Sequence, residues 1–281
     1  AGSPSIRVTD TTNTITGKFQ SDNSVSKIGT HTNHPFVLLA NNTEAMRIDT
    51  VGNLGIGATP TTFHSTLTGV QIGGNAILQH ETAAGAGKTF KIAQNVREEI
   101  TSGDFTYIST DEASLIELNS GGVNIKTAPS GTGGATATMT SRFTVSGSGE
   151  VGIGTASPTD LLEIASSTTP ALAFNDTGGG AGSKVFRLSG GGDKFFFSGR
   201  NDTNTGDGDV GDIMTFDLTN GRVGIGLTDP GHLLDVTAAD GIADNNPVAR
   251  FVNSETTNGR SKGIYIRAGS TNDDFGLQID D

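Results

Sequence analysis

Four groups of residues in this 281-residue chain have types and spacings that suggest chemistry. Three Gly-Ile-Gly segments, Gly55-Ile56-Gly57, Gly152-Ile153-Gly154 and Gly224-Ile225-Gly226, have the look of a phosphate cradle. A dinucleotide loop needs a third glycine opening a helix. Here that region holds Thr59, Ser157 or Asp229, followed by Pro60, Pro158 or Pro230, so no cofactor loop is assigned. Five histidines (His31, His34, His64, His80 and His232) invite a metal. The His31/His34 pair would fall on opposite faces of a strand, a poor arrangement for one ion, and solvated loop histidines are the expectation. The run Gly206-Asp207-Gly208-Asp209-Val210-Gly211-Asp212 offers carboxylates to Ca²⁺, but calcium nonapeptides come in tandem and this run does not. It reads as an acidic solvated turn. Neighbouring acids occur at Glu98-Glu99, Asp111-Glu112, Asp273-Asp274 and Asp280-Asp281. Glycoside cleavage needs two carboxyls facing each other across a cleft, whereas neighbours on a strand point apart. With aromatics at 6%, sugar-stacking surface is scarce, and the chain is read as non-enzymatic, with no cofactor and no metal.

The elements that would position these residues are more informative. Met46–Gly57, Arg142–Gly154 and Met214–Gly226 are one phrase written three times. Each begins with a period-2 strand, continues through a Gly-containing turn, and ends in a second strand with Leu54/Ile56, Val151/Ile153 or Val223/Ile225 on one face. The opposite face is bare glycine, against which another backbone should lie. Proline closes each phrase because it has no N–H to offer a ladder. After the second and third prolines come Leu161-Leu162-Glu163-Ile164 and Leu233-Leu234-Asp235-Val236. The copies divide the chain into repeat unit 1 (1–60), unit 2 (61–158), unit 3 (159–230) and a partial unit 4 (231–281). Their spacing is uneven, 97 residues from Gly55 to Gly152 and 72 from Gly152 to Gly224, so unit 2 carries an insertion at about 93–138. That insertion is predicted to hold a hairpin (Ser114–Leu118, a turn at Asn119–Gly122, Val123–Lys126), a helical turn or two over Ala93–Ile100, and a loop over Thr127–Thr138. Loops are also predicted over Gly178–Ser183 and Asn201–Gly211.

Composition points outward from the single chain. Gly numbers 41 and hydrophobic residues make up 33%, too little apolar surface for a thick core of its own. Partner chains are expected to complete it. The net charge is −12, and Asn201–Asp281 holds 14 acids against 5 bases. Phosphate and anionic-lipid surfaces attract Lys and Arg clusters, so neither nucleic acid nor membrane insertion is expected. No cysteine is present and no apolar run nears the length of a bilayer span. The chain is expected to be part of a longer protein.

The arrangement Gly-x-Val-Gly-Ile-Gly-Thr-x-x-Pro followed by Leu-Leu-x-Ile, fullest at Gly149–Ile164, resembles the shaft repeats of phage tail fibres and tail spikes. Gly221–Val236 match with Leu227 in place of Thr; Gly52–Pro60 are one residue short before the proline and lack the Leu-Leu continuation. Such repeats often precede a self-cleaving chaperone domain resembling that of endosialidases. The resemblance implies an all-β, elongated fibrous array of repeated β-hairpin units, an intertwined homotrimer of the β-prism or triple-β type. It implies a structural virion protein, assembled in the host cytoplasm, that partners itself, other virion tail proteins, and a host surface glycan or protein receptor. The alternatives are a glycan-binding or glycan-degrading spike module and a bacterial trimeric surface adhesin. On this reading Gly55, Ile56, Gly57, Pro60, Gly152, Ile153, Gly154, Pro158, Gly224, Ile225, Gly226 and Pro230 are structural, with Val/Ile filling an intersubunit core and the glycines allowing chains to approach. Phe195-Phe196-Phe197 would join that core.

Overall fold

The computed structural model describes residues 4–21, 24–99, 104–176, 185–200 and 207–237. Every regular element among them is a β-strand, and the chain divides into two compact units, Ala1–Ser167 and Thr168–Asp281.

The first unit opens with an antiparallel meander of β1 (Ser5–Asp10), β2 (Ile15–Ser21) and β3 (Ser26–Thr30). An eleven-stranded sheet takes in β4 (Phe36–Ala40), β5 (Thr43–Ile48), β6 (Leu54–Ile56), β7 (Leu67–Ile72), β8 (Ala76–Glu81) and β9 (Thr89–Gln94). The chain then leaves the sheet for a two-stranded ribbon, β10 (Val96–Glu98) and β11 (Phe105–Tyr107). It returns through β12 (Asp111–Asn119), β13 (Gly122–Gly131), β14 (Thr140–Val145), β15 (Val151–Ile153) and β16 (Leu162–Ile164). Sheet neighbours are antiparallel except at two places, where β6 pairs with β7 and β15 with β16 in parallel. Neither Pro60 nor Pro158 ends this sheet, which runs through the first and stops beyond the second.

The period-2 pattern gives the sheet two different faces. One face packs under the ribbon, where Phe63, Leu67, Ile77, Ala93, Val96, Tyr107, Ala113, Leu115, Ala128 and Ala137 form a buried cluster. The turn that sends the chain out of the sheet is Asn95, wholly buried at φ 58°. Its Nδ2 donates to the carbonyls of Ser109 (3.1 Å) and Glu112 (3.0 Å), and its Oδ1 accepts from the Ser109 amide (2.8 Å). The helix expected over Ala93–Ile100 is therefore corrected. Arg97, Glu98 and Glu99 favour helix locally, but Asn95 breaks the run and Val96 is drawn into the core. The loop expected over Thr127–Thr138 is corrected in part, because β13 continues to Gly131 and Ala128 and Ala137 pack beneath the ribbon. Space there is tight: a Cβ on Gly131 would lie 2.2 Å from the Tyr107 ring. The hairpin predicted in the insertion is present as β12–β13. Its two-residue turn, Ser120-Gly121, has both φ values positive (51° and 80°), as a twisted hairpin requires.

The second unit is a six-stranded sheet, β17 (Ala171–Asn175), β18 (Val185–Gly191), β19 (Lys194–Arg200), β20 (Asp207–Asp217), β21 (Arg222–Ile225) and β22 (Leu234–Val236). Its strands are antiparallel except for β21 and β22, which are parallel. Residues 207–211, expected in a loop, are strand. The expected loop at Gly178–Ser183 and the unit-4 residues from 238 onward lie outside the described residues.

Candidate functional site

The three phrases fold alike, and the details account for nearly every residue they share. Each hairpin turn is organised by one side-chain oxygen at the end of its first strand. Asp49 Oδ1 accepts from the amides of Val51 (3.0 Å) and Asn53 (2.8 Å). Ser146 Oγ accepts from those of Ser148, Gly149 and Glu150. Asp217 Oδ1 accepts from Thr219 and Asn220 (both 3.0 Å). Side-chain oxygens of this kind bond their own turn readily. These donors, the Asn220 side chain first among them, hold the Asp217 carboxyl below the usual carboxylate value.

The second strand of each hairpin then pairs in parallel with the segment beyond the proline, Val151↔Leu162 and Val223↔Leu234, with Leu54↔Val70 in the first phrase. Parallel neighbours ordinarily need a crossover of about a dozen residues or more. Here the connections are Gly154–Leu161 and Gly226–Leu233, tight enough to demand glycine. Gly57, Gly154 and Gly226 all sit at positive φ (64°, 79°, 78°). A Cβ on Gly154 would lie 2.2 Å from the Ala165 carbonyl oxygen, and one on Gly226 2.1 Å from that of Thr237. The first glycine of each pair lies under the connection itself. A Cβ on Gly55 would meet the Ala58 oxygen at 2.1 Å and Pro60 at 2.8 Å. On Gly152 it would meet the Thr155 oxygen at 2.7 Å, and on Gly224 the Leu227 oxygen at 2.7 Å. A polar residue directly opposite that glycine on the parallel strand holds the connection down. Gln71, Glu163 and Asp235 pair with Gly55, Gly152 and Gly224. Their side-chain oxygens accept the amide of the residue after the proline, from Thr61 (2.7 Å), Thr159 (2.9 Å) and Gly231 (3.0 Å).

At Gly55, Gly152 and Gly224 the glycine face is thus covered by the phrase's own connection, and the backbone that approaches it belongs to the same chain, whereas Gly57 faces open space. At these three positions the close approach that glycine permits is made by the chain's own backbone. The prolines also do more than end a ladder: Pro60 packs over Gly55, and Pro230 is among the most fully buried side chains. The first phrase, although it lacks Leu-Leu, reaches its parallel strand by a longer path. Phe63 fills that path, with its ring against Gly69.

What the connections leave uncovered is the opposite face. Across the large sheet the register lines up Phe36, Ile48, Leu54, Val70, Leu78, Ile92, Ile116, Ile125, Phe143, Ile153 and Ile164, one residue per strand, without a polar interruption. A second row on the same face runs Phe90, Leu118, Val123, Val145, Val151, Leu162. Ile92, Ile116, Ile125 and Ile153 keep 37–44% of their surface exposed, while Leu115, one residue from Ile116, keeps 2%. The second unit repeats the design: Leu172, Leu188, Phe197, Met214, Ile225 and Val236 cross all six strands. Phe195 and Phe197 stand on this face edge to face at 5.3 Å, and Phe216 lies 5.7 Å from Phe197. Phe196 points to the other face. Monomeric proteins rarely expose contiguous apolar surface on this scale.

The residues read for chemistry are dispersed. His34, His64 and His80 bond locally to Thr32, Thr66 and the Glu81 carbonyl, and His232 lies 3.6 Å from Asp235. Among the described residues, no three of His, Asp and Glu gather. Glu98 and Glu99 point to different cations, Lys91 (2.6 Å) and Arg97 (3.3 Å). The acidic run beginning at Gly206 falls partly outside the described residues; from Asp207 its backbone is strand, and Asp212 accepts a hydrogen bond from Ser198. Asp273-Asp274 and Asp280-Asp281 lie outside the described residues. Sequence reasoning missed the turn oxygens and the clasping acceptors Gln71, Glu163 and Asp235. A polar residue recurring at one register position beyond the proline was the available signal.

No protein-family model matches the chain, and no curated protein matches it.

Proposed function

We propose that this chain is a structural segment of a virion fibre, the shaft of a phage tail fibre or spike, whose apolar sheet faces pack against those of two further copies. The observation that supports it is the uninterrupted apolar row, one residue from each of eleven strands in one unit and of six in the other. Covering it requires partner chains of the same character. Threefold stoichiometry, an elongated array and the virion setting come from the resemblance of the Gly-x-Val-Gly-Ile-Gly phrase. In this role the chain provides reach and stiffness, joins other tail proteins, and presents a tip that meets a host receptor. The clasped turns make each phrase self-supporting, which leaves the opposite face free for assembly. Sedimentation and light scattering of the purified chain test this: trimers at micromolar concentration are the expected result, and a compact, folded monomer overturns it.

A second reading, contact with a host glycan, is favoured by one cleft in the second unit. Phe196 stands there beside Arg187, Ser189 and Asp212, with Thr168 and Thr169 at the rim. An aromatic face among hydrogen-bonding groups is the chemistry that holds a sugar ring. Loss of glycan-array binding in Phe196→Ala with stoichiometry unchanged would support it; an array without binders would overturn it.

A further inference from the structure

Beneath the ribbon of the first unit lies a group that neither the clasps nor the apolar face uses. Gln79 on β8 and Lys91 on β9 are direct cross-strand neighbours on the inner face. Both are buried, at 2% and 6% exposure. Glu98 reaches down from β10 and bridges them through one oxygen: its Oε2 accepts from Lys91 Nζ at 2.6 Å and from Gln79 Nε2 at 3.4 Å. The amide oxygen of Gln79 is buried and has no hydrogen-bond partner. The row continues on both sides. Gly69, covered by the Phe63 ring, pairs with Gln79, and Glu117 pairs with Lys91 but is itself bound to Lys126. An amine, a carboxamide and a carboxylate that contacts both are thus held together away from bulk water. This is a nucleophile, an electrophile with a leaving group, and a proton carrier in one place. Proximity of this kind replaces an encounter in solution with a step inside one molecule, and a positioned carboxylate supplies general acid–base catalysis.

We propose that Lys91 and Gln79 become joined by an isopeptide bond within the folded chain, with Glu98 moving the protons. Lys91 Nζ passes a proton to Glu98 Oε2 and, as the amine, attacks Gln79 Cδ, forming the Nζ–Cδ bond while the carbonyl π pair moves onto Oε1. As the carbonyl re-forms, the Cδ–Nε2 bond breaks and its electron pair leaves with Nε2. Nε2 takes up the proton held by Glu98 and a second proton from Nζ, and departs as ammonium. Glu98 is returned as the carboxylate, the lysine charge has left with the ammonium, and no oxidant or cofactor is consumed. The product ties β8 to β9 covalently in a chain that has no cysteine for a disulfide. The inference is independent of the shaft reading.

Mass spectrometry of the unmodified chain decides it. The denatured protein is expected to be lighter than its sequence by one ammonia. Trypsin should fail to cut after Lys91, leaving the peptide that ends at Lys88 and the Thr89–Arg97 peptide joined as one branched species. That branched species separates the isopeptide from ammonia loss by succinimide formation at an Asn-Gly step such as Asn220-Gly221, which joins nothing. The full sequence mass with ordinary cleavage after Lys91 overturns the proposal. Glu98→Gln, checked for fold by circular dichroism, is expected to retain the ammonia; a Glu98→Gln chain that is still branched overturns the role given to the carboxylate. Lys91→Arg should keep the full mass whatever its stability.

Discussion

Leu115 and Ile116 are adjacent on β12, yet one faces the chain's own core and the other the uncovered row, so substitutions there should fail in different ways. Leu115 is 2% exposed among Ile77, Val96 and Ala128. Leu115→Ala should cost the single chain about 2–5 kcal/mol, the usual range for emptying a core leucine. Its melting temperature or urea midpoint should fall sharply, with stoichiometry unchanged wherever the chain remains folded. Ile116 is 38% exposed in the single chain. Covering that remainder is worth roughly 1 kcal/mol per copy, from the transfer free energy of an aliphatic side chain. Ile116→Asp forfeits it and adds the penalty of burying an unpaired carboxylate, several kcal/mol. Each copy in an assembly incurs both, and about 1.4 kcal/mol is a tenfold change in association. The variant should therefore remain folded by circular dichroism while sedimenting as monomer at concentrations where the parent is assembled. The reasoning is refuted if Ile116→Asp assembles like the parent, or if it unfolds the isolated chain as Leu115→Ala does.

The same logic extends to the second unit and to the clasps. Ile153→Asp and Ile225→Asp should weaken assembly in the same way, read by light scattering. Gly57→Ala meets open space and carries only the strain of a positive φ, about 1 kcal/mol, whereas Gly154→Ala adds a clash with the Ala165 oxygen and should cost clearly more in urea titrations. The Asp217 carboxyl is held below its ordinary value of 3.8 by its turn donors, so the folded state prefers it ionised. Its stabilising contribution is complete above that value and is lost as the pH falls through the lower folded value. Asp217→Asn should therefore lower the neutral-pH midpoint and flatten the acid limb of the stability profile.

Much of the fold was legible because alternation is a strong local signal. The hairpins at Met46–Ile56, Arg142–Ile153, Met214–Ile225 and Ser114–Lys126 all follow from period-2 residues flanking turn formers. The parallel partner of each hairpin was not legible. Leu-Leu-Glu-Ile announces a strand but not its neighbour, and the short crossover that brings it alongside depends on glycine conformation and on a hydrogen bond from beyond the proline. Ala93–Ile100 misled for a related reason: local helix preference in Arg97, Glu98 and Glu99 was overridden by the burial of Asn95 and Val96. The low hydrophobic content does not by itself say where the apolar residues are placed. The inner core sets four alanines beside Phe63, Leu67, Ile77, Val96, Tyr107 and Leu115, and many of the remaining large aliphatics stand on the outer face. Gly152 and its equivalents looked like an interface and proved to be a seat for the chain's own connection.

The parallel pairings have a consequence for how such a chain can change length. From β7 to β15 the sheet counts seven strands, each antiparallel to the last; from β17 to β21 it counts five. Both numbers are odd, so in each stretch the final strand of the phrase runs in the direction of the first. An added or lost single strand would reverse the phrase and turn its parallel exit back on itself. Between the two copies that share the large sheet, length is therefore quantised in pairs of strands. The longer stretch differs from the shorter by one hairpin in the sheet, and its other addition, the β10–β11 ribbon, is again a pair. Within the first unit, this parity keeps the direction of the chain the same at both of its phrases, whatever the length of the hairpins between them.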